Sequence, residues 1–172
     1  MQIDCTTLAH DALSAADRGH LADCFNQHFG HVDYQWAGQP WCCLARVDGE
    51  LVGNLAILKR TVLVGDIAVD VGGIGAVTTH EDSRGRGVAA ALLDCATRAM
   101  RDKLNVAFGL LICRPAVANV YSGQGWQAVP TETHFAQPVG TVSYPGLTMI
   151  ISLQNQPWPA ATGDIDLQGL PW

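Results

Sequence analysis

The sequence predicts a single α/β domain, and three observations carry that reading. At 172 residues the chain is long enough for one domain with a real core and too short for two enzyme-sized ones. Its short apolar strands are punctuated by turn pairs, Asp48-Gly49 and Gly65-Asp66 among them. Finally, residues 87–103 place Val88, Ala91, Leu92, Cys95 and Ala99 at i, i+3, i+4, i+7 and i+11, one stripe of an amphipathic helix lying between two strand patterns. A composition of 48% apolar and 15% charged residues excludes disorder, and 18 glycines without a strict repeat exclude a fibrous chain.

Taken in order, residues 3–8 read as a first strand, and Ser14 as the cap of a helix reaching Phe29, with Leu21, Cys24, Phe25 and Phe29 at helical spacing. Residues 30–40 read as loop. Residues 41–47 and 51–60 form a hairpin about Asp48-Gly49, and residues 61–71 turn at Gly65-Asp66 into another strand. Gly72, Gly73 and Gly75 then interrupt an apolar run ending at Val77-Thr78-Thr79, which predicts a bulge or a close backbone approach. Beyond the helix at 87–103, residues 106–112 are a continuous apolar strand, 116–122 a short helix, Gly125-Trp126 the entry to a strand, and 148–153 a late one. The stretch 154–172, rich in Pro, Gly and Trp, reads as an extended tail held to the body by its aromatics.

Ten Lys and Arg against 16 Asp and Glu give a net charge of -6, which argues against a binder of phosphate backbones. Arg114 is the last basic residue; beyond it the fixed charges are Glu132, Asp164, Asp166 and the terminal carboxylate. That acidic third is either a solvated surface or a wall that attracts a small cation. Six cysteines without CxxC spacing read as small core residues of a reducing compartment, and no histidine has ligand spacing, so no metal is expected. With no signal-peptide pattern and no long uncharged apolar run, the expectation is a soluble cytoplasmic protein that binds no membrane.

The chemistry concentrates in residues 77–89: Val77-Thr78-Thr79, a polar loop, Arg84-Gly85-Arg86-Gly87, and Val88-Ala89 opening the helix. Free amides at a helix start, the positive end of its dipole and glycines that let backbone approach a ligand together make an anion cradle suited to a pyrophosphate. Gly85-Arg86-Gly87-Val88-Ala89-Ala90 also satisfies GxGxxA. The dinucleotide fold, however, puts the first glycine directly after a strand, with an acid about 20 residues on, and neither holds here. A Walker loop is excluded because GK[ST] is missing.

Arg84-x-x-Gly87-x-Ala89 resembles instead the (Gln/Arg)-x-x-Gly-x-(Gly/Ala) signature of the GCN5-related N-acetyltransferases, the GNAT family. The Ala-Leu-Leu of the following helix, the strand at 108–113 and the segment Asn119-Val120-Tyr121-Ser122-Gly123-Gln124-Gly125-Trp126 resemble that family in order and spacing over about residues 45–130. The motif loop and the tail, Asp164, Asp166 and the final Trp172, further resemble the aminoglycoside 2′-N-acetyltransferases. The resemblance implies a mixed, twisted sheet flanked by helices and splayed between the strands ending near Thr79 and Cys113, so that acetyl-CoA enters the gap. It implies coenzyme contacts from Val77, Thr78, Thr79, Arg84, Gly85, Arg86, Gly87, Val88 and Ala89, and Tyr121 as general acid, although a Tyr before Gly-Trp is also a common packing residue.

For the acceptor, the resemblance implies a cationic amino sugar held by Asp33, Trp36, Glu81, Asp82, Asp164, Asp166 and the Trp172 carboxylate, with the tail packed near the acceptor site. In the aminoglycoside branch a Glu stands near the base position; here the neighbourhood reads Gly73-Ile74-Gly75-Ala76, leaving Asp33, His80, Glu81, Asp82, Asp164 or the Trp172 carboxylate as base. Trp36 and Trp41 are acceptor-site or core residues on equal footing. Another small amine or a protein N-terminus as acceptor, and a non-catalytic acetyl-CoA-binding module, stand as alternatives. A homodimer is implied by the resemblance alone.

Overall fold

The structure, a computed structural model, describes residues 2–160 and 163–172; residues 161 and 162 of the expected tail lie outside the described residues. Among the described residues, ten strands share one mixed sheet. The first half is a meander: β1 (Asp4–Ala9), β2 (Trp41–Val47), β3 (Glu50–Val64) and β4 (Ile67–Thr79) pair antiparallel in succession. Between β1 and β2 runs α1 (Ala15–Phe29), whose first turn is capped as expected, the Ser14 hydroxyl accepting from the Asp17 amide at 3.0 Å. β3 and β4 are long, so the hairpin read at Gly65-Asp66 is the main ribbon of the molecule.

α2 (Val88–Asp102) crosses over to β5 (Phe108–Cys113), which lies parallel to β4. Its buried residues are Val88, Leu92, Leu93, Cys95, Ala96, Ala99 and Met100, a wider stripe than the sequence suggested, while Ala91 is only half-buried. They form one face of the main core with Cys43, Ala45, Leu55, Ile57, Ile74 and Trp126. Burying a Leu or Met side chain contributes about 1.5–3 kcal/mol, so this helix anchors the sheet. Thr7 Oγ1 lies 3.3 Å from both Cys43 and Cys95 sulfurs, a polar stitch between sheet and helix. After α3 (Ala118–Ser122), β6 (Gln127–Val129) and β9 (Leu147–Ser152) close the far edge beside β5.

Two findings depart from the sequence reading. α1 buries none of its residues; its aromatics border open cavities instead of closing on the sheet. And the segment after residue 130 holds three further strands, β7 (Thr133–Gln137), β8 (Gly140–Ser143) and β10 (Ile165–Asp166). β10 is wedged between β3 and β7, with Ile165 opposite Val64 on one side and Thr133 on the other. Ile165, with Leu167 just beyond the strand, forms a second core with Phe135, Leu110 and Phe108, which Trp172 joins. The tail is thus part of the sheet, as well as held by aromatics such as Trp158, whose ring meets Phe108 edge-on at 5.1 Å. Among the described residues no helix is long and apolar enough to cross a membrane.

Candidate active site

The site begins where two parallel strands part. β4 and β5 are paired only at Val71–Phe108, Gly72–Gly109 and Gly73–Leu110. Beyond Gly73 the chain of β4 bulges away: Ala76 and Val77 have no partner on β3, and Ala76 takes φ +49°. A non-glycine residue there costs about 1–3 kcal/mol and persists only where its surroundings enforce it. The enforcing group is buried Asn54, whose Nδ2 donates to the Ala76 carbonyl at 3.1 Å while its Oδ1 accepts from Thr78 Oγ1 at 2.6 Å. A cleft of about 710 Å³ opens between the separated strands, lined on the β4 side by Ile74 through Thr79.

At one end of the cleft stands the start of α2. Gly87 supplies no side-chain cap, and the first helical bond runs from the Ala91 amide to the Gly87 carbonyl, leaving the amides of Val88, Ala89 and Ala90 without helical partners. Gly85 and Gly87 hold φ +71° and +84°, with open space where a Cβ would stand. Of the expected cradle, Arg84, Gly85, Gly87, Val88 and Ala89 line the cleft, as do Val77, Thr78 and Thr79; Arg86 is exposed and does not. Arg84 folds back, Nε donating to the Thr79 carbonyl at 3.4 Å with Glu81 3.7 Å away. Orphan amides, a helix dipole and unobstructed glycines fit a phosphate-bearing ligand such as a nucleotide coenzyme.

The opposite wall comes from the end of β5 and the chain beyond it. Tyr121 on α3 is 8% exposed and borders the cleft; burial, with smaller contributions from Cys113 and Tyr144, pushes its hydroxyl up to about 12. The neutral hydroxyl is therefore favoured, and the group can donate a proton at ordinary pH. Tyr144 borders the same cleft and burial likewise pushes it up to about 12. No motif marked Tyr144, because it reaches the cleft only through the β7–β8 hairpin, its amide donating to the Thr133 carbonyl at 2.8 Å.

The third wall is made by the tail. After β10, the Leu167 amide donates to His134, the Gly169 carbonyl accepts from Ala136 and the Pro171 carbonyl accepts from Ala37, so the chain is fastened almost residue by residue. Arg60 Nη1 donates to the carbonyls of Leu167 and Leu170, and its guanidinium lies 5.1 Å from the centre of the Trp172 ring. Trp172 is 3% exposed. A Cβ at Gly73 would overlap its indole, and one at Gly75 would overlap its backbone carbonyl carbon and stand 2.8 Å from its oxygen. Gly73 and Gly75 thus leave the space in which Trp172 sits, its backbone carbonyl beside Gly75.

Other expected acceptor groups lie elsewhere. Trp36 lines the cleft, but Asp33, Glu81 and Asp82 are exposed on loops outside it, and Asp82 faces His80 at 3.8 Å. Asp164 accepts from His134 Nε2 at 3.0 Å on the outer surface, and Asp166 accepts from the Gln168 amide at 2.8 Å. The tail's acids are thus engaged within and beside the tail, and neither lines the cleft. Glu132, His134 and Asp164 form an exposed group there, with ligand-type atoms within 4.8 Å of one another, that no sequence spacing signalled. In the cleft, by contrast, stand His28 and His31. His28 Nδ1 lies 3.0 Å from the Cys24 carbonyl, which can only accept, so Nδ1 donates there and the ring is held with Nε2 outside that bond.

A second cavity, of about 580 Å³, adjoins the cleft and shares Phe25, Trp36 and Ala76 with it.

Residues 16–129 match a family model described as an acetyltransferase (GNAT) domain. Over 128 residues, 74% of this chain, the sequence is 27% identical to an aminoglycoside 2'-N-acetyltransferase of Mycolicibacterium fortuitum, and the match spans 65% of that relative's length. Among solved structures, the GNAT family N-acetyltransferase YhbS from Escherichia coli, in complex with CoA, is 15% identical with a TM-score of 0.65, covering 99% of this chain and 97% of its own. An acyl-CoA N-acyltransferase from Pseudomonas aeruginosa is 21% identical with a TM-score of 0.61, covering 88% and 100%. Such structural likeness speaks for the fold; the family match, which spans β2 to β6 with α2 and α3, carries the assignment, and the chain belongs to the GNAT acetyltransferases.

Proposed function

We propose that this protein transfers the acetyl group of acetyl-CoA directly to a primary amine in the cleft between β4 and β5. The observation that carries the reading is the cleft itself: an uncapped helix start, a strained β4 bulge and a protonated Tyr121 converge on one space. Acetyl-CoA would supply an activated thioester. The amides of Val88, Ala89 and Ala90 would hold its pyrophosphate, with Arg84 beside them, and the bulge at Ala76 and Val77 frees backbone amides that can polarise the thioester carbonyl. The amine attacks the carbonyl carbon, the C–S bond breaks, Tyr121 gives its proton to the departing sulfur, and the ammonium proton passes to the His28 ring or to a water held by backbone carbonyls.

For the acceptor two readings stand: a cationic amino sugar acetylated at its 2′ amine, and so an antibiotic-resistance activity, is supported by the 27% identity to the Mycolicibacterium fortuitum protein, and another small amine is supported by the lining of the cleft.

Thiol release from acetyl-CoA over an amine panel, with acetyl-CoA binding measured in parallel by calorimetry, tests the proposal. Tyr121→Phe should lower kcat about 100-fold without changing acetyl-CoA affinity. Because the raised hydroxyl stays protonated, the wild type should lose no rate to this group on the alkaline side until pH approaches about 12. A Tyr121→Phe enzyme as fast as wild type would remove Tyr121 from the mechanism and turn attention to Tyr144. Absence of both thiol release and acetyl-CoA binding sinks the whole reading.

A further inference from the structure

Resting on acetyl transfer at this cleft, we infer that the acceptor is a monoamine carrying an apolar aryl or alkyl body, and not a polycation. Among the described residues, no Asp or Glu side chain lines the cleft or the cavity that adjoins it. The acceptor group at hand is the Trp172 backbone carbonyl beside Gly75, which can take a hydrogen bond from a single ammonium. Away from the pyrophosphate cradle, the charged side chains on the walls are of the other sign: Arg114 in the cleft, Arg18 in the second cavity. Each further ammonium of a polycation would shed water without gaining a carboxylate and would meet a guanidinium. The acids that could have served it, Asp164 and Asp166, are engaged on the tail by His134 and the Gln168 amide.

Aromatic surface is the main offering of the walls. Trp36 is held edge-on by Phe25 (5.9 Å between ring centres, 88°), Tyr34 (5.9 Å, 67°) and Phe29 (6.3 Å, 67°), so it is a fixed wall and not an adaptable one. Because Trp36, Phe25 and Ala76 border both cavities, an acceptor whose nitrogen lies at the bulge has an apolar path along Trp36 into the second space, past Leu21, Trp41 and Ala56. A planar or branched apolar body of one charge matches that path in shape, polarity and charge.

The test is thiol release with 2-phenylethylamine, hexylamine, spermidine and a deoxystreptamine aminoglycoside. The arylalkyl or alkyl monoamine should exceed both polycations in kcat/KM by about tenfold or more. Trp36→Ala should raise KM for the monoamine about tenfold, with acetyl-CoA affinity unchanged by calorimetry, and Trp36→Phe, which keeps an aromatic wall, should restore most of it. Preference for a polycation overturns the acceptor class and leaves acetyl transfer standing. Acetyl-CoA binding without turnover of either monoamine also overturns it, whereas loss of acetyl-CoA binding altogether strikes the acetyltransferase reading beneath it.

Discussion

The two halves of the cleft are built in opposite ways. The coenzyme half is contiguous chain: Val77 to Ala89 run from strand to loop to helix, and the groups that would hold phosphate are backbone amides whose direction is set by the helix itself. The acceptor half is assembled from α1, the loop at Trp36, the strand-end residue Tyr144 and Trp172, groups far apart in sequence and joined only by the sheet. The first half is therefore rigid by local geometry and general for its ligand. The second owes its shape to packing, and it is there that chains of one fold can diverge in substrate.

Separating the halves experimentally starts with Gly75. Its Cβ would overlap the Trp172 backbone carbonyl carbon, so Gly75→Ala should displace that residue and lower kcat/KM for the amine about 100-fold, the order of loss that a misplacement of about 1 Å produces. Acetyl-CoA affinity, measured by calorimetry, should stay within about twofold. Equal damage to both ligands would show that the halves are not separable.

A smaller effect of the opposite kind is expected at Gly87. With φ +84° an alanine there costs about 1–2 kcal/mol of backbone strain, to be read as a lowered Tm. Acetyl-CoA should bind about tenfold more weakly, while KM for the amine at saturating coenzyme stays unchanged. An amine KM that moves with it would tie the acceptor wall to the loop.

The smallest effect belongs to the tail's surface. Asp164→Asn removes an exposed charge from the His134 pair and should change stability by under about 1 kcal/mol in chemical denaturation, with unaltered kinetics. A rise in amine KM would return Asp164 to the acceptor site and weaken the distinction between a tail that positions and a tail that binds.

Legibility in the sequence divides along the same line. Asp48-Gly49, the Ser14 cap, the Val88–Ala99 stripe and the Arg84-x-x-Gly87-x-Ala89 loop are all legible, since each is decided by neighbours within a few residues. The glycines at 72–75 announce a close approach correctly but cannot name the partner, which is Met100 over Gly72 and Trp172 over Gly73 and Gly75. The tail's acids are expected in the site from sequence and lie outside it, because charge composition says how much charge a segment carries and nothing of which way it faces. His28 gives no signal because a lone histidine on a helix has no pattern; only the cleft beside α1 gives its ring a use.

The sequence by itself determined the α/β class, the turns at Asp48-Gly49 and Gly65-Asp66 and the uncapped, glycine-led start of α2, because backbone preference, apolar period and helix-end chemistry act over short distances. Only the tertiary structure decided that two residues of the tail become a strand between β3 and β7, and that this carries Trp172 onto the glycines of β4. Pairing across a hundred residues of chain depends on the sum of many side-chain contacts and on no single local signal, and the largely apolar character of the acceptor wall is a product of that sum.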